Sequence, residues 1–155
     1  MIQRLQTVYL LLTTLFSSLF LWGPVIKFSD VTGSAFFIKL KGLSRVYLAG
    51  GEELIKNLLP LSALLVLIPI LSLIIIFLFK KRKSQLRLCM GLIILIVLLI
   101  TSIVFYSFYV TRNYNAEIIP GVKLILPVLM LFCAFLAYRG IKKDEKLIKS
   151  YERLR

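Results

Sequence analysis

The amino-acid sequence predicts an all-α membrane protein. We expect four transmembrane helices in an antiparallel bundle, a small β-hairpin in the first extracytoplasmic loop and a C-terminal amphipathic helix. Composition is the first reason, because 59% of the 155 residues are apolar and only 17% are charged, against about 45–50% and about 25% in a soluble domain. The second reason is that the uncharged blocks, as helices, are long enough to cross the roughly 30 Å hydrocarbon core of a bilayer. A water-soluble single domain is therefore excluded.

The uncharged blocks give the four helices in order. We place them at about 5–26, 57–79, 87–110 and 119–139, all in one membrane domain. Runs such as 73–79 are continuously apolar, whereas strands of a membrane β-barrel alternate apolar and polar residues. The fourth helix is the weakest, because Lys123 interrupts it and Pro127 lies near its start. We expect it to depend on pairing with the third helix.

The distribution of Lys and Arg predicts the orientation of the bundle. Thirteen of the 20 basic residues are Arg4 or lie in 80–87 and 139–155, and seven are spread over the other loops. Basic flanks favour the cytoplasmic side. We therefore expect both termini, the basic loop 80–86 and the tail 140–155 in the cytoplasm of a bacterial cell, the protein being a multi-pass protein of its inner membrane.

The loop 27–56 is the longest segment between predicted helices, and we place it in the periplasm. Its segments 36–41 and 44–48 are rich in aromatic and branched residues and partly alternate, and Gly42 and Leu43 fall between them, which predicts a β-hairpin. An isolated hairpin is marginal in water. It must therefore lie on the bundle, gain a third strand or pair with a partner protein. Glu52 and Glu53 are expected in the first turn of helix two, where acidic residues favour the helix dipole.

The tail 140–155 is predicted to be an amphipathic basic helix that continues from helix four. Ile141, Leu147 and Ile148 recur at helical spacing beside several Lys residues. The tail could lie on the anionic inner leaflet, dock a partner or be an ordinary solvated flank. The residues that we expect to contact lipid headgroups or a partner are Lys80, Lys81, Arg82, Lys83, Lys142, Lys143, Leu147, Ile148 and Tyr151.

The sequence gives little support for catalysis. It contains no His, and its acidic residues all lie outside the four predicted spans, so no acid, base and nucleophile cluster is apparent. Cys89 and Cys133 are expected to be free thiols that pack as small apolar side chains. The hydroxyls of the spans and the two span prolines, Pro69 and Pro127, are interpreted as packing features. We expect no enzyme activity, cofactor, metal or nucleic-acid partner.

The two ends of the chain resemble a known family. The segments 1–10, MIQRLQTVYL, and 137–147, AYRGIKKDEKL, together with RLR at 153–155, are similar to small four-helix membrane proteins from Bacteroidota that are grouped as domain of unknown function 4293. The four-span plan and the length of the whole chain also fit. The resemblance implies an inner-membrane location in a diderm bacterium and implies no activity.

Two functional hypotheses follow. The first is a non-catalytic accessory or scaffold subunit of an inner-membrane assembly, which contacts other membrane proteins through the outer hairpin and the basic tail. The alternative is a small transporter or lipid-handling protein with a groove between kinked helices. A deep hydrated cavity would favour the alternative, and a dry core beside an exposed strand edge would favour the first hypothesis.

Overall fold

The computed structural model describes residues 3–30, 34–47, 51–78 and 81–153 of the chain. Four α-helices lie in these residues: α1 is Gln3–Leu21, α2 is Leu59–Phe77, α3 is Arg82–Tyr114 and α4 is Leu126–Arg153. A short 3₁₀ turn, Val122–Ile125, leads into α4. Three of the helices are long and apolar enough to cross a membrane, and Leu5–Leu21 is a shorter apolar helix. Helices of this length and composition are typical of a membrane protein.

Each helix packs on the next one along the chain, and α4 packs on α1, so the four helices form a closed ring. The core that they enclose is apolar and includes Leu10, Leu65, Ile96 and Met130, each at most 3% exposed. Many large apolar side chains point the other way and are exposed, such as Phe108, which is 66% exposed. An outer surface of this kind fits a hydrocarbon solvent and would be costly in water.

The helix boundaries differ from those expected from hydropathy. Helix α1 ends at Leu21 and not at residue 26, because Gly23 adopts a φ of +86° and Pro24 follows it. Helix α3 begins at Arg82, so most of the expected basic loop 80–86 is helical. Lys, Arg, Gln and Leu are good helix formers, so the charges of this segment mark the edge of the apolar layer and not the end of a helix.

Helix α4 differs from expectation at its start. It begins at Leu126 and not at 119, because Ile119 belongs to a strand. It then continues to Arg153, as expected for a basic tail helix that continues from helix four. With 28 residues the helix is about 42 Å long, which exceeds the hydrocarbon thickness of roughly 30 Å by about 40%. The charged C-terminal turns therefore extend beyond the length that is needed to span a bilayer.

The expected hairpin is the centre of a larger sheet. Its two strands are present as β2, Ala35–Lys39, and β3, Gly42–Tyr47. Three further strands, β1 (Ile26–Ser29), β4 (Gly51–Lys56) and β5 (Glu117–Ile119), extend it into an antiparallel sheet of five strands in the order β4-β3-β2-β1-β5. A hairpin alone leaves the outer backbone groups of both strands unpaired. Strands β1 and β4 pair with the two outer edges of the hairpin, and β5 pairs with the outer edge of β1.

Two local expectations about this loop were wrong. Glu52 and Glu53 lie in β4 rather than in the first turn of α2, which begins at Leu59 with Pro60 next to it. The turn of the β2–β3 hairpin is formed by Leu40 and Lys41, since Lys39 pairs with Gly42. Gly42 is the first residue of β3. Its φ of +137°, and the overlap that a Cβ would make with the carbonyl of Lys56, restrict this position to glycine.

The hydroxyls of the helices bond mainly to their own backbone, in agreement with the packing interpretation. Thr13 and Thr14 of α1 donate to carbonyls one turn back at 2.9 Å. The Thr14 and Ser72 hydroxyls also lie 2.5 Å apart across the α1–α2 contact, and Ser72 donates to the carbonyl of Pro69. These bonds satisfy polar groups beside the proline of α2.

Candidate functional site

The two ends of the bundle are chemically different. We call the end with the start of α1, the start of α3 and the C-terminal part of α4 the basic end, and the opposite end, which carries the five strands, the sheet end. At the basic end Gln85 of α3 donates to the Ile75 carbonyl near the end of α2 at 3.2 Å. The bond joins the two helices beside the connection that carries Lys81.

The residues expected to contact lipid or a partner lie at the basic end, on two helices. Lys81 and Lys83 are exposed and Arg82 is half-buried at the start of α3, whereas Lys142 and Lys143 are exposed on α4. Leu147 is 43% exposed. Lys80 and the side chains of Ile148 and Tyr151 lie outside the described residues.

A groove of about 450 Å³, which we call the α4 groove, is present on α4 at the basic end. Its lining consists of Phe135, Tyr138, Arg139, Lys142 and Lys143, so the structure brings two of the expected residues together with three that the sequence analysis did not select. The Nζ atom of Lys142 lies 5.8 Å from the centre of the Tyr138 ring, within cation–π range. Lys81, Arg82 and Lys83 lie outside this groove.

The opposite face of α4 is fixed to α1. Gln6 of α1 donates a 2.7 Å hydrogen bond from Nε2 to a carboxylate oxygen of Asp144, and both side chains are at most 7% exposed. Gly140 lies one turn before Asp144, and a Cβ built on it would be 2.7 Å from Cγ of Gln6. The absence of a side chain at 140 therefore lets Gln6 reach the carboxylate. This buried bond fixes the start of the tail 140–155 against α1.

The hydrogen-bonded pair also explains the direction of the groove. Ala137, Ile141 and Asp144 are all buried and recur at helical spacing, so they mark one face of α4. At about 100° per residue, Arg139 and Lys142 fall on the other side of the helix. The groove thus opens away from the bundle, toward the surrounding medium.

At the sheet end, the side of the sheet that bears Phe36 is fixed by Arg45 of β3. Its guanidinium lies 3.7 Å from the carboxylate of Asp30, donates to the Ser34 hydroxyl at 3.2 Å, and stacks over the rings of Phe36 and Tyr47. The Phe36 ring in turn contacts Tyr114 at the end of α3, with 5.0 Å between ring centres. These contacts hold the sheet against the end of the bundle.

Strand β4 is an edge of this sheet, and all six of its residues are exposed. The Lys39 ammonium donates to Glu52 of β4 at 2.5 Å. This hydrogen bond, together with one from Ser44, holds the pKa of Glu52 below its ordinary value. Tyr47 donates to Glu53 at 2.9 Å. The side chains of β4 thus bond back to the sheet, while the outer edge of its backbone faces solvent.

A second, smaller groove of about 280 Å³ lies at the sheet end, between the start of β1 and the segment before α4. Lys123, which interrupts the fourth apolar block, lines this groove and donates to the carbonyl of Trp22 just beyond the end of α1. A lysine at this position satisfies a free carbonyl and complements the negative end of the α1 dipole.

Sequence reasoning missed Phe135, Tyr138 and Arg139 of the α4 groove and the Gln6–Asp144 bond. The signal was available for the groove, because these positions and Lys142 follow helical spacing on one face. It was also available for Asp144, which continues the stripe of Ala137 and Ile141. Its partner on α1 could not be found in this way, since the pairing joins residues 138 positions apart.

Comparison with known proteins identifies a family. A sequence model of the family described as "Domain of unknown function (DUF4293)" matches residues 2–154. No curated protein matches the chain. The matched range includes both members of the Gln6–Asp144 bond and every residue of the α4 groove.

Proposed function

The chain belongs to the DUF4293 family, and since this family's description supplies no activity, we propose a function from the surfaces themselves: a non-catalytic accessory or scaffold subunit of a membrane assembly. In this proposal α1 to α4 all cross the inner membrane of a bacterial cell. The basic end lies in the cytoplasm and the sheet end lies outside. Helices α1 and α2, with 19 residues each, are about 28 Å long and match the hydrocarbon thickness closely.

One observation carries the proposal, namely the exposed edge strand β4 beside an apolar core. An unpaired strand edge is a row of free backbone donors and acceptors, and an extended segment of another protein can pair with it. Leu54 and Ile55, which are 47% and 38% exposed, supply apolar contacts on that edge. We propose that its occupant is an extended extracytoplasmic segment of a membrane partner.

The alternative, a transporter or lipid-handling protein with a groove between kinked helices, has less support. Its groove would lie beside kinked helices, but Pro127 is the second residue of α4 and not a kink within it, and the α4 groove lies on the outer face of that helix. Near Pro69 the space between α1 and α2 is occupied by the hydrogen-bonded hydroxyls of Thr14 and Ser72.

Site-specific photo-crosslinking tests the proposal. A photoreactive amino acid at Ile55 should capture one protein partner in intact cells, and mass spectrometry should identify a segment of that partner outside the membrane. The same probe at Leu15, which is 54% exposed on α1, serves as the lipid-facing control. Equal capture at both positions, or none at Ile55, would contradict the proposal.

A fusion experiment tests the orientation. Alkaline phosphatase fused after Lys81 should be inactive, because the basic end is proposed to be cytoplasmic, and a fusion after Tyr47 in the sheet should be active. High activity of the first fusion would reverse the topology.

A further inference from the structure

We propose that the α4 groove binds the headgroup of an anionic phospholipid in the leaflet at the basic end. This inference rests on the proposed membrane crossing of α4 and is independent of the partner at the sheet end. The groove has a volume of about 450 Å³, and all five of its lining residues lie on one helix, so it is shallow and would contact a headgroup on one side. It also opens away from α1, on the side where lipid would be.

Along α4 the lining residues change from apolar to cationic, as a phospholipid changes from its acyl chains to its phosphate. Phe135 comes first along the helix, Tyr138 is next, and the cations Arg139, Lys142 and Lys143 follow. From Phe135 to Lys143 the helix rises by about 12 Å. Tyrosine favours the boundary between hydrocarbon and headgroups. An acyl chain beside Phe135 and a phosphate among the three cations would therefore run in the direction that the bilayer imposes.

The charges of the groove favour an anion. Three of the five lining residues are cationic and none is acidic. Asp144, which directly follows Lys143 in the chain, has its carboxylate bonded to Gln6 on the opposite face, so it does not neutralise this face. The contact of Lys142 with the Tyr138 ring keeps one ammonium at the level where the phosphate would lie.

The apolar member of the groove separates a lipid from a soluble anion or an acidic protein. Phe135 is 48% exposed and lies on the membrane side of the cations. A soluble phosphate compound would gain nothing from this ring, and a cytoplasmic protein would have to enter the hydrocarbon layer to reach it. Only an amphiphilic anion uses both parts of the groove.

The test uses the full-length protein in a neutral detergent, titrated with fluorescently labelled phosphatidylglycerol, with labelled phosphatidylcholine as the uncharged comparison. The groove variant is R139Q/K142Q/K143Q. The control K81Q/R82Q/K83Q removes the same charge from the same end but outside the groove. A basic residue near an anionic headgroup contributes about five-fold to binding. We expect the groove variant to weaken phosphatidylglycerol binding at least ten-fold and the control less than three-fold.

Two more arms make the result decisive. The charge-retaining variant R139K/K142R/K143R should keep wild-type affinity within about three-fold, and helix content from circular dichroism confirms folding of each variant. Phe135→Gln should weaken the lipid two-fold or more. An equal loss in both triple-Gln variants would mean diffuse attraction and overturn the site. Full competition by glycerol 3-phosphate at the lipid's own concentration would mean a small phosphate ligand and overturn the lipid assignment.

Discussion

Substitution of Gly140 by alanine should change the free energy of unfolding, and the sign of this change should depend on the identity of residue 6. An added Cβ would lie 2.7 Å from Cγ of Gln6, which is too close for two carbon atoms. Gln6 must then either accept strain or leave the carboxylate of Asp144. Since Gln6 and Asp144 are both at most 7% exposed, neither choice restores their hydration.

The magnitude follows from three terms. Replacement of glycine by alanine inside a helix gains about 1 kcal/mol. Strain from overpacking costs about 1–3 kcal/mol, and loss of a hydrogen bond to a charged group costs about 1.5–3 kcal/mol. The molecule incurs only the smaller of the two costs, which is about 1–3 kcal/mol, so after the gain of about 1 kcal/mol Gly140→Ala should lower the free energy of unfolding by up to about 2 kcal/mol. In a Gln6→Ala background the clash is absent, and the same change should raise it by about 0.5–1 kcal/mol.

Unfolding by sodium dodecyl sulfate in mixed micelles, followed by far-ultraviolet circular dichroism, measures these differences. Gly91→Ala is the matched control, because a Cβ at Gly91 in α3 meets no atom within 4 Å. It should stabilise both backgrounds by a similar amount. If Gly140→Ala stabilises the protein with Gln6 present as much as without it, the contact between Gln6 and Asp144 does not hold α4 on α1.

Three further predictions concern single residues. In the same unfolding assay, Asp144→Asn should lower the free energy of unfolding by about 1 kcal/mol and Asp144→Leu by about 3 kcal/mol. Asn can still accept a hydrogen bond from Gln6, whereas Leu leaves the buried amide of Gln6 without a partner. Equal losses in the two variants would contradict this prediction. Gly42→Ala should destabilise the sheet by about 2–4 kcal/mol, since its Cβ would overlap the Lys56 carbonyl at a positive φ. Amide hydrogen exchange in β2 to β4 should then become faster. Gly51→Ala in β4 is the control and should be nearly neutral. The Lys39–Glu52 contact should persist at pH 5 and be lost as the pH falls through the lowered pKa of Glu52. The reason is that a carboxylate with a depressed pKa stabilises the fold above its unfolded pKa of about 4.3. Amide hydrogen exchange at the β3–β4 pairing should therefore become faster on acidification, and this change should be absent in Glu52→Gln.

The sequence by itself determined the membrane character and the number of helices in the described chain. Uncharged blocks of about 20 residues have few alternatives to a helix, because a backbone in hydrocarbon must satisfy its own hydrogen bonds. It also located the β2–β3 hairpin, since alternation around Gly42 is a local signal. The bias of basic residues toward one end is equally local, and both ends of the chain carried the family resemblance that the match over residues 2–154 confirmed.

The tertiary structure decided the contacts between residues that lie far apart in the sequence. Strand β5 joins β1 although 88 or more positions separate their residues, and no periodicity in three residues, Glu117–Ile119, predicts such a pairing. The helical continuation of α4 was expected from the sequence, but its attachment to α1 was decided by packing, because only the structure shows that Gln6 provides a buried partner for Asp144. The face of α4 that carries the groove follows from that contact. Long-range pairing and burial depend on which surfaces meet in space, and a local pattern contains only one of the two partners.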